Sequence, residues 1–290
     1  MGTPLVVARL APAATSPAPT PVSEAALRDA VTGRPQPADS PLDAIVAEIA
    51  LRAGDGPLGI ADPLVVTDPA AAGWISASSL VDGSALPLLL GGPVERWGAA
   101  PHAAAALAWK AYSYWLTLPA IVGLTCADRV PLLDADNVLV QLSYRPPYIT
   151  VGVRRPAVAV LPGDRYAGRP GAVVVPDRDA LLDALAGSLL TRHLAPLADA
   201  TRARVRIGTR ILSGSLAASV AYALRFVSTV PPATDGLAAQ GKVILDALSV
   251  TDLVSMSEQP DGTVGVQRKT CCLAFTVPQL KICSTCCIQP

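Results

Sequence analysis

Five of the six cysteines in this chain fall within its last twenty residues, in the segment Arg268 to Pro290, R-K-T-C-C-L-A-F-T-V-P-Q-L-K-I-C-S-T-C-C-I-Q-P. Cys271 and Cys272 are adjacent, ten residues intervene, and Cys283 and Cys286 then form a C-x-x-C with Cys287 directly behind. Cysteines that serve only as small hydrophobes scatter among apolar positions. Thiols gathered this densely suit a metal centre, because convergent thiolates are what iron–sulfur clusters and structural zinc sites require. The C-x-x-C turn lets two sulfurs approach one metal without straining the backbone, and the adjacent pair must supply the other two ligands. Neighbouring side chains of an extended backbone point in divergent directions. That suits a two-iron group with ligands spread around it better than a single tetrahedral ion. The stretch reads as a [2Fe–2S] ligand set. Two other readings stay open here. One is a four-cysteine zinc knuckle, although such knuckles usually pair two C-x-x-C turns. The other is a disulfide-linked tail, which belongs in an oxidising compartment.

The order C-C, ten residues, C-x-x-C, introduced by Arg268-Lys269-Thr270, resembles the bacterial ferric-siderophore reductases of the FhuF-like family. In that family the motif holds a [2Fe–2S] cluster, and Cys271, Cys272, Cys283 and Cys286 match its four positions. Cys287 is an extra thiol beyond the four. The resemblance extends upstream to about Trp74. It implies a cytoplasmic oxidoreductase of iron uptake, whose substrate is Fe(III) chelated by a siderophore and whose product is exchangeable Fe(II). Hard oxygen donors hold Fe(III) far more tightly than Fe(II), following charge density, so one electron converts a trapped ion into a labile one. The runner-up readings are a zinc-binding structural or binding protein and a ferredoxin-like electron carrier. A carrier needs little beyond its cluster fold, and this chain has a large body.

That body is 51% hydrophobic and 16% charged over 290 residues, ample for a buried core in one large or two modest domains. A formal net charge of zero argues against a nucleic-acid partner, which calls for a basic surface. The Pro- and Ala-rich stretch up to Val22 lacks the features of a signal peptide. Ala103 to Leu124 is apolar, but Lys110 and Pro119 interrupt it, so it predicts a buried helix and no stable membrane insertion.

Periodicity predicts an α+β fold: a mainly helical body with a small antiparallel β meander and a C-terminal cysteine-rich tail. Helices are expected over Ser23 to Arg34, Leu42 to Arg52 and from His102 onward. Others should run from an Asp177 cap through Leu189, along Leu212 to Val227, and over Leu237 to Leu248. Short strands are expected at Asn137 to Ser143, Tyr148 to Val153, Ala157 to Leu161 and Ala172 to Val175, the first two forming a hairpin around Arg145-Pro146-Pro147. Trp74 to Trp97 reads as mixed turns. Gly54 to Gly59 is formally G-x-G-x-x-G, yet it follows a helix and reads as a loop, with no dinucleotide site. The expected division is 1–73, variable arm and helices; 74–265, siderophore-binding body; and 266–290, cluster-binding segment.

Two further features stand out. Trp109-Lys110-Ala111-Tyr112-Ser113-Tyr114-Trp115 is the densest aromatic cluster of a chain that is 4% aromatic. Core packing is its default reading; the functional one is an aromatic wall of Tyr112 and Tyr114, with Lys110 facing a ligand. Arg202, Arg204, Arg206 and Arg210 form a basic row on either a helix or a strand, suited to anionic oxygens. Lys110, Tyr112, Tyr114, Arg206 and Arg210 are therefore the candidate substrate residues. His102 and His193 stand apart from other ligand-type residues and read as helix-end polar contacts. Cys126 reads as a buried small hydrophobe. With no nicotinamide or flavin motif of its own, the chain needs a separate electron donor, such as a ferredoxin or a nicotinamide- or flavin-dependent reductase. Arg268, Lys269 and Lys281 would raise the cluster potential and dock an acidic donor.

Overall fold

A computed structural model describes residues 40–54, 56–70, 73–230, 236–280 and 282–288. The expected helix at Ser23 to Arg34 and Lys281 lie outside them. In chain order the elements are α1 (Asp43–Ala53), β1 (Ile60–Val65), β2 (Ile75–Ser76), α2 (Ala77–Val81), α3 (Leu86–Trp97), α4 (Pro101–Ala127), β3 (Arg129–Pro131), β4 (Val138–Leu142) and β5 (Ile149–Val153). They continue as β6 (Val158–Val160), β7 (Ala172–Val174), α5 (Arg178–Leu185), a π-helical segment (Ala186–Leu194), α6 (Ala195–Arg204), α7 (Thr209–Val227), α8 (Leu237–Ala247), β8 (Val254–Glu258) and β9 (Val264–Arg268). The fold is α+β.

α4 is the central strut. Pro101 suits the first helical position, where no backbone donor is needed, and Asp128 ends the helix in the left-handed region at φ 48°. Its residues are apolar nearly all round, so it is wrapped on every side, as a helix of this pattern must be. Its main partner is α7, a helix rich in small buried residues, Ala217, Ala218, Ser219 and Ala221 among them. Two bonds pin the pair: Trp109 Nε1 donates to the Leu212 carbonyl at 2.9 Å, and the Ser113 and Ser219 hydroxyls meet at 3.2 Å. Among the described residues no helix is long and apolar enough to cross a membrane.

The hairpin predicted around Arg145-Pro146-Pro147 is β4–β5, antiparallel from Val138↔Val153 to Leu142↔Ile149. The expected antiparallel meander is instead two small mixed sheets. In the first, β1 runs parallel to β5 and β2 antiparallel to β4; in the second, β6 pairs antiparallel with β3 and parallel with β7. β1 follows directly on the loop expected at Gly54 to Gly59, where no strand was expected. Asp62-Pro63 is tolerated because β1 is an edge strand with an irregular register. Trp74 to Trp97 is also more regular than expected, forming β2, α2 and α3. Ile45, Ile49 and Leu64 belong to the same buried cluster as the residues beyond Trp74, so the packing does not break at residue 73.

Asp177 caps α5 as predicted, its Oδ1 accepting from the Ala180 amide at 2.9 Å. The helix does not stop near Leu189 but continues through the π-helical segment into α6. That segment carries His193 into the core, fully buried, instead of at a helix end. Leu133 O can only accept, so the imidazole Nδ1–H donates to it at 2.6 Å; Nε2 then accepts from the Tyr112 hydroxyl at 2.6 Å.

Candidate functional site

The cysteine segment leaves the body from β9, the second strand of a hairpin with β8, paired from Val254↔Arg268 to Glu258↔Val264. Val254, Met256, Val264 and Val266 turn towards α7 and α8, where Gly241 leaves room for Met256. This hairpin was missed from sequence. Its signal was present: alternation of apolar and polar residues on both arms, with the turn residues Pro260-Asp261-Gly262 between them.

Beyond β9 the chain is held down at several points. Gly214 on α7 lacks a side chain where Thr270 lies against it. Leu273 adopts the left-handed region at φ 62°, opening a short 3-10 turn over Ala274–Thr276. Val277 then buries itself among Ala99, Ala103 and Ala104, against the first turns of α4. The returning arm lies alongside β9: the Arg268 amide donates to Thr285 O at 3.2 Å, and Gln267 Nε2 to Cys286 O at 3.4 Å. The Tyr222 and Thr285 hydroxyls are hydrogen-bonded. The C-x-x-C turn closes through the Cys286 amide on Cys283 O at 3.0 Å.

Cys272 and Cys286 are buried, Cys271 and Cys283 half-buried and Cys287 exposed, and all are free thiols. Cys271 Sγ accepts from the Leu273 amide at 3.3 Å. Burial pushes the Cys271 thiol above its ordinary range, the Leu273 amide bond opposes this, and Cys272, Cys287 and Cys286 add smaller upward contributions. Burial also raises Cys287, with Cys286 adding to it. Among the described residues no three His, Cys, Asp or Glu side chains are gathered as a bound metal ion requires.

The donor set nonetheless has an unusual companion. Arg268 is 1% exposed, the largest of the fully buried side chains. Its Nη2 lies 3.5 Å from Ser215 Oγ, while Nε and Nη1 have no partner; Thr270 Oγ1, two residues on, is buried and unpartnered too. A buried cation without a counter-charge costs several kcal/mol. The Arg268 amide bonds Thr285 O, between the cysteines of the C-x-x-C turn, so the residue stands at the base of the thiol segment. Four thiolates around a dicationic two-iron core form a dianion, which is the charge this guanidinium lacks. In charge and in donor chemistry the segment fits a [2Fe–2S] group. Lys269, by contrast, is exposed.

The predicted substrate residues are placed unevenly. Tyr112 has no exposed surface and is bonded to His193, so it cannot form a ligand wall. Tyr114 is half-buried and packs edge-on to Trp115 with ring centroids 4.9 Å apart. Lys110 is half-exposed, and Arg206 and Arg210 are exposed. The basic row is not continuous. α6 ends at Arg204, Val205 is extended, and α7 begins at Thr209, so Arg202, Arg206 and Arg210 share neither a helical face nor a strand. Arg202 pairs with Asp199 at 3.5 Å, and Arg204 Nη2 donates to Gly83 O at 2.8 Å. Lys110 and Arg210 stand on two helices that pack together and are joined by the Trp109–Leu212 bond. No protein-family model matches this sequence, and no curated protein matches it.

Proposed function

We propose that this protein is a cytoplasmic ferric-siderophore reductase, whose C-terminal thiols hold a [2Fe–2S] cluster. The supporting observation is Arg268, a buried guanidinium with no counter-charge among the described residues, three residues before the C-C-x10-C-x-x-C motif and with its amide bonded to Thr285 O inside the C-x-x-C turn. When bound, such a cluster takes one electron at a time from a separate carrier, a ferredoxin or a nicotinamide- or flavin-dependent reductase, and yields it to a ferric chelate. Cys271, Cys272, Cys283 and Cys286 would be its ligands. Arg268 offsets their negative charge and so favours addition of an electron. The burial of Cys272 and Cys286 excludes water from part of the ligand set. The Fe(III) of the chelate gains the single electron and becomes Fe(II), and protons taken up by the released oxygen donors complete the exchange. A reducing compartment keeps the thiols available.

The test is anaerobic purification followed by iron and sulfide analysis and visible spectroscopy. A red-brown protein with about two irons and two sulfides per chain is expected, whose reduced form yields trapped Fe(II) from a ferric chelate. Serine at any one of Cys271, Cys272, Cys283 or Cys286 should bleach or destabilise the colour, whereas Cys126→Ser and Cys287→Ser should keep it. A colourless protein holding zinc on these thiols overturns the reading. A coloured protein that reduces other proteins but no chelate is a carrier.

A further inference from the structure

A cleft of about 700 Å³ lies over the outer face of the β8–β9 hairpin. Its size is that of a small-molecule site. One wall is Ser284 and Thr285, the two residues between the cysteines of the C-x-x-C turn; the floor includes Ser255, Ser257 and Gln267; Arg225 of α7 stands at the rim. Anything seated here lies against the thiol segment itself.

Two features of the lining indicate what it takes. Among the described residues lining it, Arg225 and Asp261 are the only charged ones; hydrogen bonds from Thr263 hold the Asp261 carboxyl below its usual range, and Arg225 adds a smaller pull in the same direction. Their charges offset, leaving hydroxyls and amides as the groups presented. Such a surface has no excess charge with which to hold a strongly anionic ligand. The floor also includes a glycine, over which the Gln259 side chain lies and donates to Ser257 Oγ at 2.9 Å. Gly265 sits in mid-strand opposite Ser257, where glycine weakens a strand and often marks a close approach by a ligand or another backbone. A β-carbon at Gly265 would lie 2.3 Å from Gln259 Nε2 and 2.9 Å from Ser257 Oγ.

We infer that this cleft is the docking site of the ferric chelate, and that the chelate it accepts is compact and carries little or no net charge. The inference rests on the reductase reading. It moves the site from the Lys110 and Arg206–Arg210 surface to the hairpin, where the ligand meets hydrogen-bonding groups instead of free cations. A cluster held by Cys271, Cys272, Cys283 and Cys286 would supply the one electron that converts the docked Fe(III) to Fe(II), and a one-electron carrier protein would resupply it.

Binding is separable from reduction by using gallium(III), which takes the place of Fe(III) in oxygen-donor chelates but accepts no electron. The probes are gallium(III) maltolate, an uncharged tris-chelate, and gallium(III) citrate, an anionic one, titrated calorimetrically into the full chain. The maltolate complex should bind in preference to the citrate. Ser257→Trp and Gly265→Val both fill the cleft with residues that strands favour, and each should weaken maltolate binding by about tenfold or more while circular dichroism and thiol titre stay as in the parent protein. Unchanged affinity in whichever variant folds overturns the site, as does a preference for citrate. So does binding lost in an Arg206→Ala, Arg210→Ala double variant but kept in the cleft variants. In each of these cases the reductase reading stands if the parent protein still reduces ferric maltolate. A parent protein that neither binds nor reduces any chelate overturns both.

Discussion

Gly214 and Thr270 are in such close contact that a methyl group on Gly214 would stand 2.0 Å from Thr270 Oγ1. Thr270 immediately precedes the first cysteine of the pair. The position of the thiol segment is thus set by the absence of a side chain on α7, near the Ser215 hydroxyl approached by Arg268.

Gly214→Ala should therefore lift the segment away from α7. Relieving an overlap of this kind costs about 1–3 kcal/mol, partly offset by the better helix propensity of alanine. The expected outcome is faster modification of Cys272 and Cys286, both buried in the parent protein, by a thiol reagent, with the far-ultraviolet spectrum unchanged. Equal rates in parent and variant would show that the contact does not position the segment.

Arg268→Met should have opposite effects on the metal-free and metal-loaded protein. Without an anion beside it the guanidinium is a buried, unpaired charge, so its removal should stabilise the metal-free chain by about 1–3 kcal/mol. The loaded form should lose stability, because the dianion then lacks its counter-charge. Urea unfolding of both forms gives the two signs. Destabilisation of the metal-free form by the substitution would mean that Arg268 already has a partner there.

The Tyr112–His193 pair predicts a pH dependence. Burial lowers the His193 pKa from 6.5 to about 4, so the folded imidazole stays neutral where the unfolded one is already protonated. Below pH 6.5 the unfolded state binds the extra proton, and stability falls as pH drops. The loss accumulates between about pH 6.5 and pH 4, where the folded protein protonates as well, and amounts to roughly 3 kcal/mol from this group. His193→Gln, which cannot titrate, should flatten the stability profile across that window in denaturant titrations at stepped pH. An identical slope in parent and variant would assign the dependence to other groups.

Where neighbours along the chain decide the structure, the sequence was a sufficient guide. The Asp177 cap and the β4–β5 hairpin around its two prolines are local events, and the 3.6-residue apolar period of α7 reports a face that must be buried whatever covers it. The α+β class followed from the order of such elements.

What the tertiary structure decided is which of several chemically similar residues is taken out of water. Arg268 and Lys269 are consecutive basic residues, yet β9 pairing turns one into the core and leaves the other exposed. Tyr112 and Tyr114 stand two residues apart on α4, and only the helix's place beside the π-helical segment makes the first a core partner of His193. The arginine row was even in sequence and was broken by the end of the helix at Arg204 and the extended Val205 after it, which the sequence reading did not anticipate. Burial depends on surfaces contributed from distant parts of the chain, as when Ser215, fifty-three residues before Arg268, comes to lie beside its guanidinium. Periodicity along one segment carries no information about those surfaces, so the charge that most bears on the thiol site became visible only once the helices and the hairpin were packed together.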